Sequence, residues 1–255
     1  MLTVTIANQK GGVGKTTTSI SLATGLALKG KKTLLVDMDP QANATSGIGI
    51  NIREVELSVY HALLGMTNVD KVIKKTIVDN LSILPATQDL VGAEIELVSI
   101  QKREKKLQDI LYLVSDYDYV VVDCPPSLGL LTLNAMVACK YIIVPLQCEY
   151  YALEGLTHLI KTIKLVKREL NPGLEIMGIL LTMFDVRNNL SKVVYDDVIT
   201  HFGNKVFNTV IPRNVRLSEA PSHGMPIYMF DNQSKGAISY ISFVEEFLSR
   251  SSKHE

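Results

Sequence analysis

Residues 10–17 read Lys-Gly-Gly-Val-Gly-Lys-Thr-Thr, between a β-branched run, Leu2-Thr-Val-Thr-Ile-Ala7, and a stretch of helical periodicity, Thr16–Lys29. No other segment constrains the fold as much. A glycine-rich turn from strand to helix belongs to βαβ architecture and leaves backbone N–H groups free to curl around an anion. Gly11, Gly12 and Gly14 allow the close backbone approach, and the helix behind them offers its positive N-terminal end. Lys15 supplies a point charge where the β- and γ-phosphates of a nucleotide would lie, Thr16 places a hydroxyl for Mg²⁺, and Val13 and Thr17 complete the binding run. Tight packing alone is a poor account of two lysines beside three glycines.

Two further runs end in acids. Thr33-Leu-Leu-Val-Asp37-Met38-Asp39-Pro40-Gln41 carries two carboxylates two residues apart, which leave an extended chain on the same side. Tyr119-Val-Val-Val-Asp123-Cys124-Pro125-Pro126 delivers Asp123 to a strand end, where it would reach Mg²⁺ directly or through water. Taken alone, an acid at a strand end also serves as a helix cap. The two prolines restrict the chain beyond Asp123 and suit a segment that responds to the γ-phosphate, although prolines also simply end strands.

Short apolar runs alternate with longer helical patterns throughout. Val4–Ala7, Thr33–Val36, Leu81–Leu84, Tyr119–Val122, Tyr141–Val144, Met177–Thr182 and Val206–Ile211 read as strands; Thr16–Lys29, Ala152–Leu170 and a terminal segment around Ile238–Leu248 read as helices. The alternation predicts a single α/β domain over residues 1–255: a mostly parallel, twisted central sheet with helices on both faces and ligands at the carboxyl ends of the strands. Residues 249–255 are expected to fray. The 26 basic and 26 acidic side chains cancel, so any nucleic-acid contact must be a local patch. The three cysteines, Cys124, Cys139 and Cys148, form no C-x-x-C pair, which fits a reducing cytoplasm. The N-terminus shows no export signal, and no run approaches the roughly 20 apolar residues that span a bilayer.

The ordinary phosphate-loop pattern requires glycine at position 9, where this chain has Gln9, and the extra Lys10 makes a variant. Lys-Gly-Gly-x-Gly-Lys-Thr resembles the deviant Walker A loop shared by ParA, MinD and the nitrogenase iron protein. Further resemblance to ParA/Soj partition ATPases runs along nearly the whole chain, in Ala7-Asn-Gln-Lys10, Asp39-Pro-Gln-Ala-Asn-Ala-Thr-Ser46, Asp123-Cys-Pro-Pro126 and Ile211-Pro-Arg-Asn-Val-Arg-Leu-Ser-Glu-Ala-Pro-Ser-His-Gly224. The resemblance implies an ATPase that uses ATP and Mg²⁺, forms an ATP-dependent homodimer in which Lys10 reaches the partner's phosphates, and places Pro212 and Asn214 against the adenine. It assigns Asp39 to positioning the attacking water, either as a base or without taking a proton.

It also implies non-specific binding of double-stranded DNA and slow hydrolysis stimulated by a ParB-type partner, in a cytoplasmic, nucleoid-associated protein without a membrane role. With the phosphate loop starting near residue 10, the resemblance implies the short, chromosome-type form, in which the helix-turn-helix domain of longer relatives is not expected. Arg187 and Arg216 are the foremost DNA contacts, with Arg213, Lys192, Lys205 and Lys235 behind them; the competing account is a solvated surface or local pairing with carboxylates. A MinD-like membrane-cycling ATPase would instead need a basic amphipathic terminal helix, and Ile238–Leu248 carries Glu245 and Glu246. An iron–sulfur carrier would need cysteines shared across a dimer axis.

Overall fold

The computed structural model describes residues 1–149 and 152–252. Because Val, Ile and Leu dominate the short runs, both faces of each strand need cover, and the strands assemble into the middle layer of a three-layer stack. They are β1 (Leu2–Ile6), β2 (Thr33–Asp37), β3 (Lys74–Lys75), β4 (Leu81–Leu84), β5 (Tyr119–Asp123), β6 (Tyr141–Gln147) and β7 (Glu175–Thr182). Their order is β3-β4-β2-β5-β1-β6-β7, parallel throughout except for the antiparallel edge strand β3.

Side-chain alternation splits the core in two. Leu34, Val36, Val120 and Val122 face one apolar layer, covered by helices that include Leu130–Ala138 and Ala152–Glu169. Leu35, Val121, Val4 and Ile6 face the other, covered by the phosphate-loop helix Lys15–Leu28 and the terminal helix Lys235–Ser251. Gly25 lets these last two helices meet: a Cβ there would lie 2.5 Å from Val244 Cγ2.

The chain leaves β1 toward β2 on one side, while β6 lies on the other, so β1 sits where the winding changes direction. Its carboxyl end is therefore the expected ligand crevice. Pairing aligns Ile6 with Asp123, and Asp37 with Asp123, bringing the phosphate loop and both acid-bearing strands to the same edge of the sheet.

Six of the seven expected strands form, several a residue or more longer than their apolar runs. Val206–Ile211 does not. Phe207 N donates to Ile179 O and Ile211 N to Leu181 O, so the segment follows the edge of β7. Between those points the amides of Asn208 and Thr209 turn away and donate to Oε1 and Oε2 of Glu246, each at 2.9 Å. A carboxylate from the terminal helix has replaced the strand ladder. That helix runs through Ser251, whose side chain is buried, so residues 249–251 of the segment expected to fray are helical; residues 253–255 lie outside the described residues.

Candidate functional site

The loop after β1 is fixed by backbone geometry before any ligand is considered. Gly12 and Gly14 adopt φ of 74° and 86°, left-handed values that side chains resist. No side chain caps the helix that begins at Lys15, so its first amides remain without the usual oxygen acceptor and point toward the loop. Surrounding strands clamp the loop: Asn8 Nδ2 donates to Pro145 O at 2.7 Å, Asn8 Oδ1 accepts from Lys10 N at 3.1 Å, and Thr182 Oγ1 donates to Val13 O at 2.9 Å.

The two lysines diverge. Lys15 is buried, and its Nζ donates to Lys10 O at 2.9 Å across the turn. Burial lowers its pKa, against opposing pulls from Asp123, Cys124 and Asp39. The Lys10 side chain is 47% exposed and pairs with Glu149 Oε1 at 2.8 Å.

Asp123 is fully buried at the end of β5. Ser19 Oγ, one turn into the phosphate-loop helix, donates to its Oδ1 at 2.8 Å, whereas Oδ2 has no hydrogen-bond partner among the described residues. The Thr16 hydroxyl lies close enough to favour the ionised carboxylate without closing a bond of ordinary geometry to it. Burial, and then the neighbouring Asp37, push the Asp123 pKa up; Ser19 and Thr16 work against them. An orphaned buried oxygen beside a threonine hydroxyl is the donor set that a hard divalent cation takes. Thus the residues present fit Mg²⁺.

Asp37 and Asp39 serve different ends although they share a side of the chain. Asp37 is buried and accepts three bonds, from Asp39 N at 3.1 Å, Thr45 N at 2.8 Å and Thr45 Oγ1 at 2.7 Å. Burial raises its pKa despite these donors. It therefore holds the 39–45 loop to the sheet. Asp39, 6% exposed, spends Oδ1 on Gln41 N at 2.9 Å.

Beyond the helix start, Gly14, Thr17, Thr182, Pro212, Arg213 and Asn214 line a cavity of about 330 Å³. Pro212 bridges to Phe184, two residues beyond the end of β7. Asn214 Oδ1 caps the short helix Val215–Glu219 by accepting from Arg216 N at 2.9 Å, which leaves the side-chain NH₂ unused among the described residues. A planar heterocycle beside a phosphate loop needs such a slot and such a donor.

Of the candidate DNA arginines, Arg213 lines this cavity, while Arg187 and Arg216 are not among its lining residues and are engaged by acids. Arg187 makes a two-point contact with Asp185, Nε to Oδ1 at 3.0 Å and Nη2 to Oδ2 at 2.8 Å, which holds the Asp185 carboxyl down at about 2. Arg216 bonds Glu219 at 2.8 Å, reaches Asp231 at 3.3 Å and stacks 6.0 Å from the centre of the Phe230 ring. Sequence reasoning missed Ser19, Thr182 and Glu149. Nothing in their local pattern marks them, since each gains its partner through the sheet or the helix turn. The three cysteines are buried in the core, with Cys124 3.1 Å from Thr5 Oγ1, and burial pushes the Cys124 and Cys148 thiols up to about 12.

A parallel sheet with a glycine-rich loop after its central strand, a lysine inside that loop and a buried acid on the adjacent strand defines the P-loop nucleotide-binding class. A family model described as an AAA domain matches residues 1–176. The sporulation initiation inhibitor protein Soj of Bacillus subtilis is 54% identical over 244 residues, which cover 95% of this chain and 96% of that protein. The chromosome partitioning protein ParA of Myxococcus xanthus is 52% identical over 97% of this chain and 88% of its own length. Among solved structures, cobyrinic acid a,c-diamide synthase from Mycobacterium smegmatis, with bound ADP and magnesium, superposes with a TM-score of 0.88 at 37% identity, covering 100% of this chain and 97% of that one. The chain belongs to the Soj/ParA family of chromosome-partitioning proteins.

Proposed function

We propose that this chain is a partition ATPase: it binds ATP and Mg²⁺ at the phosphate loop, dimerises in the ATP state, binds DNA as a dimer without sequence preference, and hydrolyses ATP slowly until a ParB-type partner stimulates it. The observation that carries the reading is the divergence of the two lysines on one loop, Lys15 buried within it and Lys10 half-exposed outside it. Within its own subunit, the loop from Lys10 to Thr17 cradles the phosphates, Lys15 neutralises the β- and γ-oxygens, and Pro212 and Asn214 receive the adenine. Mg²⁺, when bound, supplies charge neutralisation between those phosphates, and Thr16 and Asp123 would hold it. Lys10 projects where a second subunit can use it, and a cation delivered in trans stabilises charge that develops during phosphoryl transfer. Asp39, nearly buried beside the loop, orients the attacking water.

Arg187 and Arg216 are the proposed DNA contacts, reading phosphates rather than bases. Among the described residues no helix is long and apolar enough to cross a membrane. A MinD-like role on lipid has less support, because the apolar face of the terminal helix, Ala237, Tyr240, Phe243, Val244 and Phe247, is buried in the core. The deciding experiment is a DNA-binding assay with ATP, ADP or no nucleotide at several salt concentrations. Binding confined to the ATP state and weakening with salt is expected; equal binding in all three states would end the partition reading.

A further inference from the structure

The ion pair between Lys10 and Glu149 lies where the trans-acting cation would have to leave. The backbone of Lys10 is fixed from both sides, its N–H donating to Asn8 Oδ1 at 3.1 Å and its carbonyl accepting from Lys15 Nζ at 2.9 Å. Only the side chain can be redirected, and Glu149 Oε1 holds it at 2.8 Å. Glu149 follows the end of β6, which pairs with β1, so the sheet itself delivers the carboxylate to the loop. A lysine held by its own subunit's carboxylate cannot also reach a neighbour's phosphate.

We infer that Glu149 is a positioning residue that retains Lys10 in its own subunit and sets the threshold for nucleotide-driven dimerisation. The inference rests on the dimer reading proposed above. The side chains are 47% and 38% exposed, so the pair is weak enough to be exchanged for a triphosphate. An exposed pair of this kind shifts an equilibrium by at most about fivefold. A symmetric dimer exchanges two such pairs, and the two effects multiply to about 25-fold. The latch thus delays association without preventing it, and it acts on both subunits at once.

The test is sedimentation velocity of the full chain and of Glu149→Gln, with Mg²⁺ and the non-hydrolysable ATP analogue AMPPNP, over a range of protein concentrations. Glu149→Gln is expected to dimerise up to about 25-fold more tightly at about 0.1 M salt, where the Debye length is about 10 Å, with the gap narrowing at about 1 M, where it is about 3 Å. A merely structural role for Glu149 would not respond to salt in this way, and circular dichroism verifies that the variant is folded. Equal dimerisation, weaker dimerisation of the variant, or a gap indifferent to salt overturns the inference while leaving the dimer reading intact. If neither protein dimerises with the analogue at any concentration, the dimer reading itself fails and takes this inference with it.

Discussion

Asp123 sets the charge balance of the site. Its pKa is raised from 3.8, first by burial and then by repulsion from Asp37. A carboxyl whose folded pKa exceeds its unfolded value stabilises the fold most at low pH, and that contribution is lost as pH rises through the raised value. Coordination of a cation needs the carboxylate ionised, so Mg·nucleotide binding should release a proton from this residue near neutral pH. Calorimetry in two buffers of different ionisation enthalpy is expected to show that release in the parent and not in Asp123→Asn; identical proton counts would mean that Asp123 is already ionised before the nucleotide binds. Asp39 offers a second test at this scale. Asp39→Ala should retain nucleotide binding and accumulate an ATP-bound dimer while turnover falls by about 10² or more, and turnover equal to the parent's would overturn its role. The contiguous part of the site was legible in the sequence because backbone geometry dictates residues 10–17 in a row. Ser19 and Glu149 were not, since only the helical turn and the β1–β6 pairing bring them to Asp123 and Lys10.

Elements were legible where a single periodicity governs them, and illegible where a distant side chain does. β-branched runs fixed the interior strands, whose backbone groups have no alternative partners once both faces are covered. Val206–Ile211 carries the same apolar signal, yet Glu246, in the last two turns of the terminal helix, captures two of its amides and the Thr209 hydroxyl. Arg250, four residues on, pairs with Glu246 at 2.9 Å and donates to the carbonyl oxygens of Met177, Asn204 and Val206. Burial tends to raise the Glu246 pKa, but these donors outweigh it and leave the value lowered, so its stabilisation persists above the ordinary glutamate range and is lost as pH falls through the depressed value. Glu246→Ala would strand these partners and should cost about 2–3 kcal/mol in urea unfolding at neutral pH. A cost below about 0.5 kcal/mol, the ordinary range for a surface substitution, would mean that the segment docks through Phe207 and Ile211 alone.

At the scale of the whole molecule, a chain with 26 basic and 26 acidic residues would have to bind any polyanion through placement rather than excess. Arg216 is presented by a short helix whose Asn214 cap lines the cavity beside the phosphate loop, so the proposed nucleotide and DNA contacts would share one structural unit. Glu219 and Asp231 hold its guanidinium in the free subunit, and a phosphate must compete with both. Removing the arginine would leave those carboxylates facing DNA, whereas neutralising one of them would ease the exchange. Arg216→Ala should therefore weaken ATP-dependent DNA binding and make the slope of log K against log salt shallower by about 0.9 per lost contact, or about 1.8 for a dimer with two patches. Glu219→Gln should move affinity the other way while leaving dimerisation intact. Fluorescence anisotropy on random duplex measures both variants. If Arg216 only anchors Val215–Glu219, Glu219→Gln will loosen the helix and fail to strengthen DNA binding, and the DNA surface must then be sought among the other exposed cations.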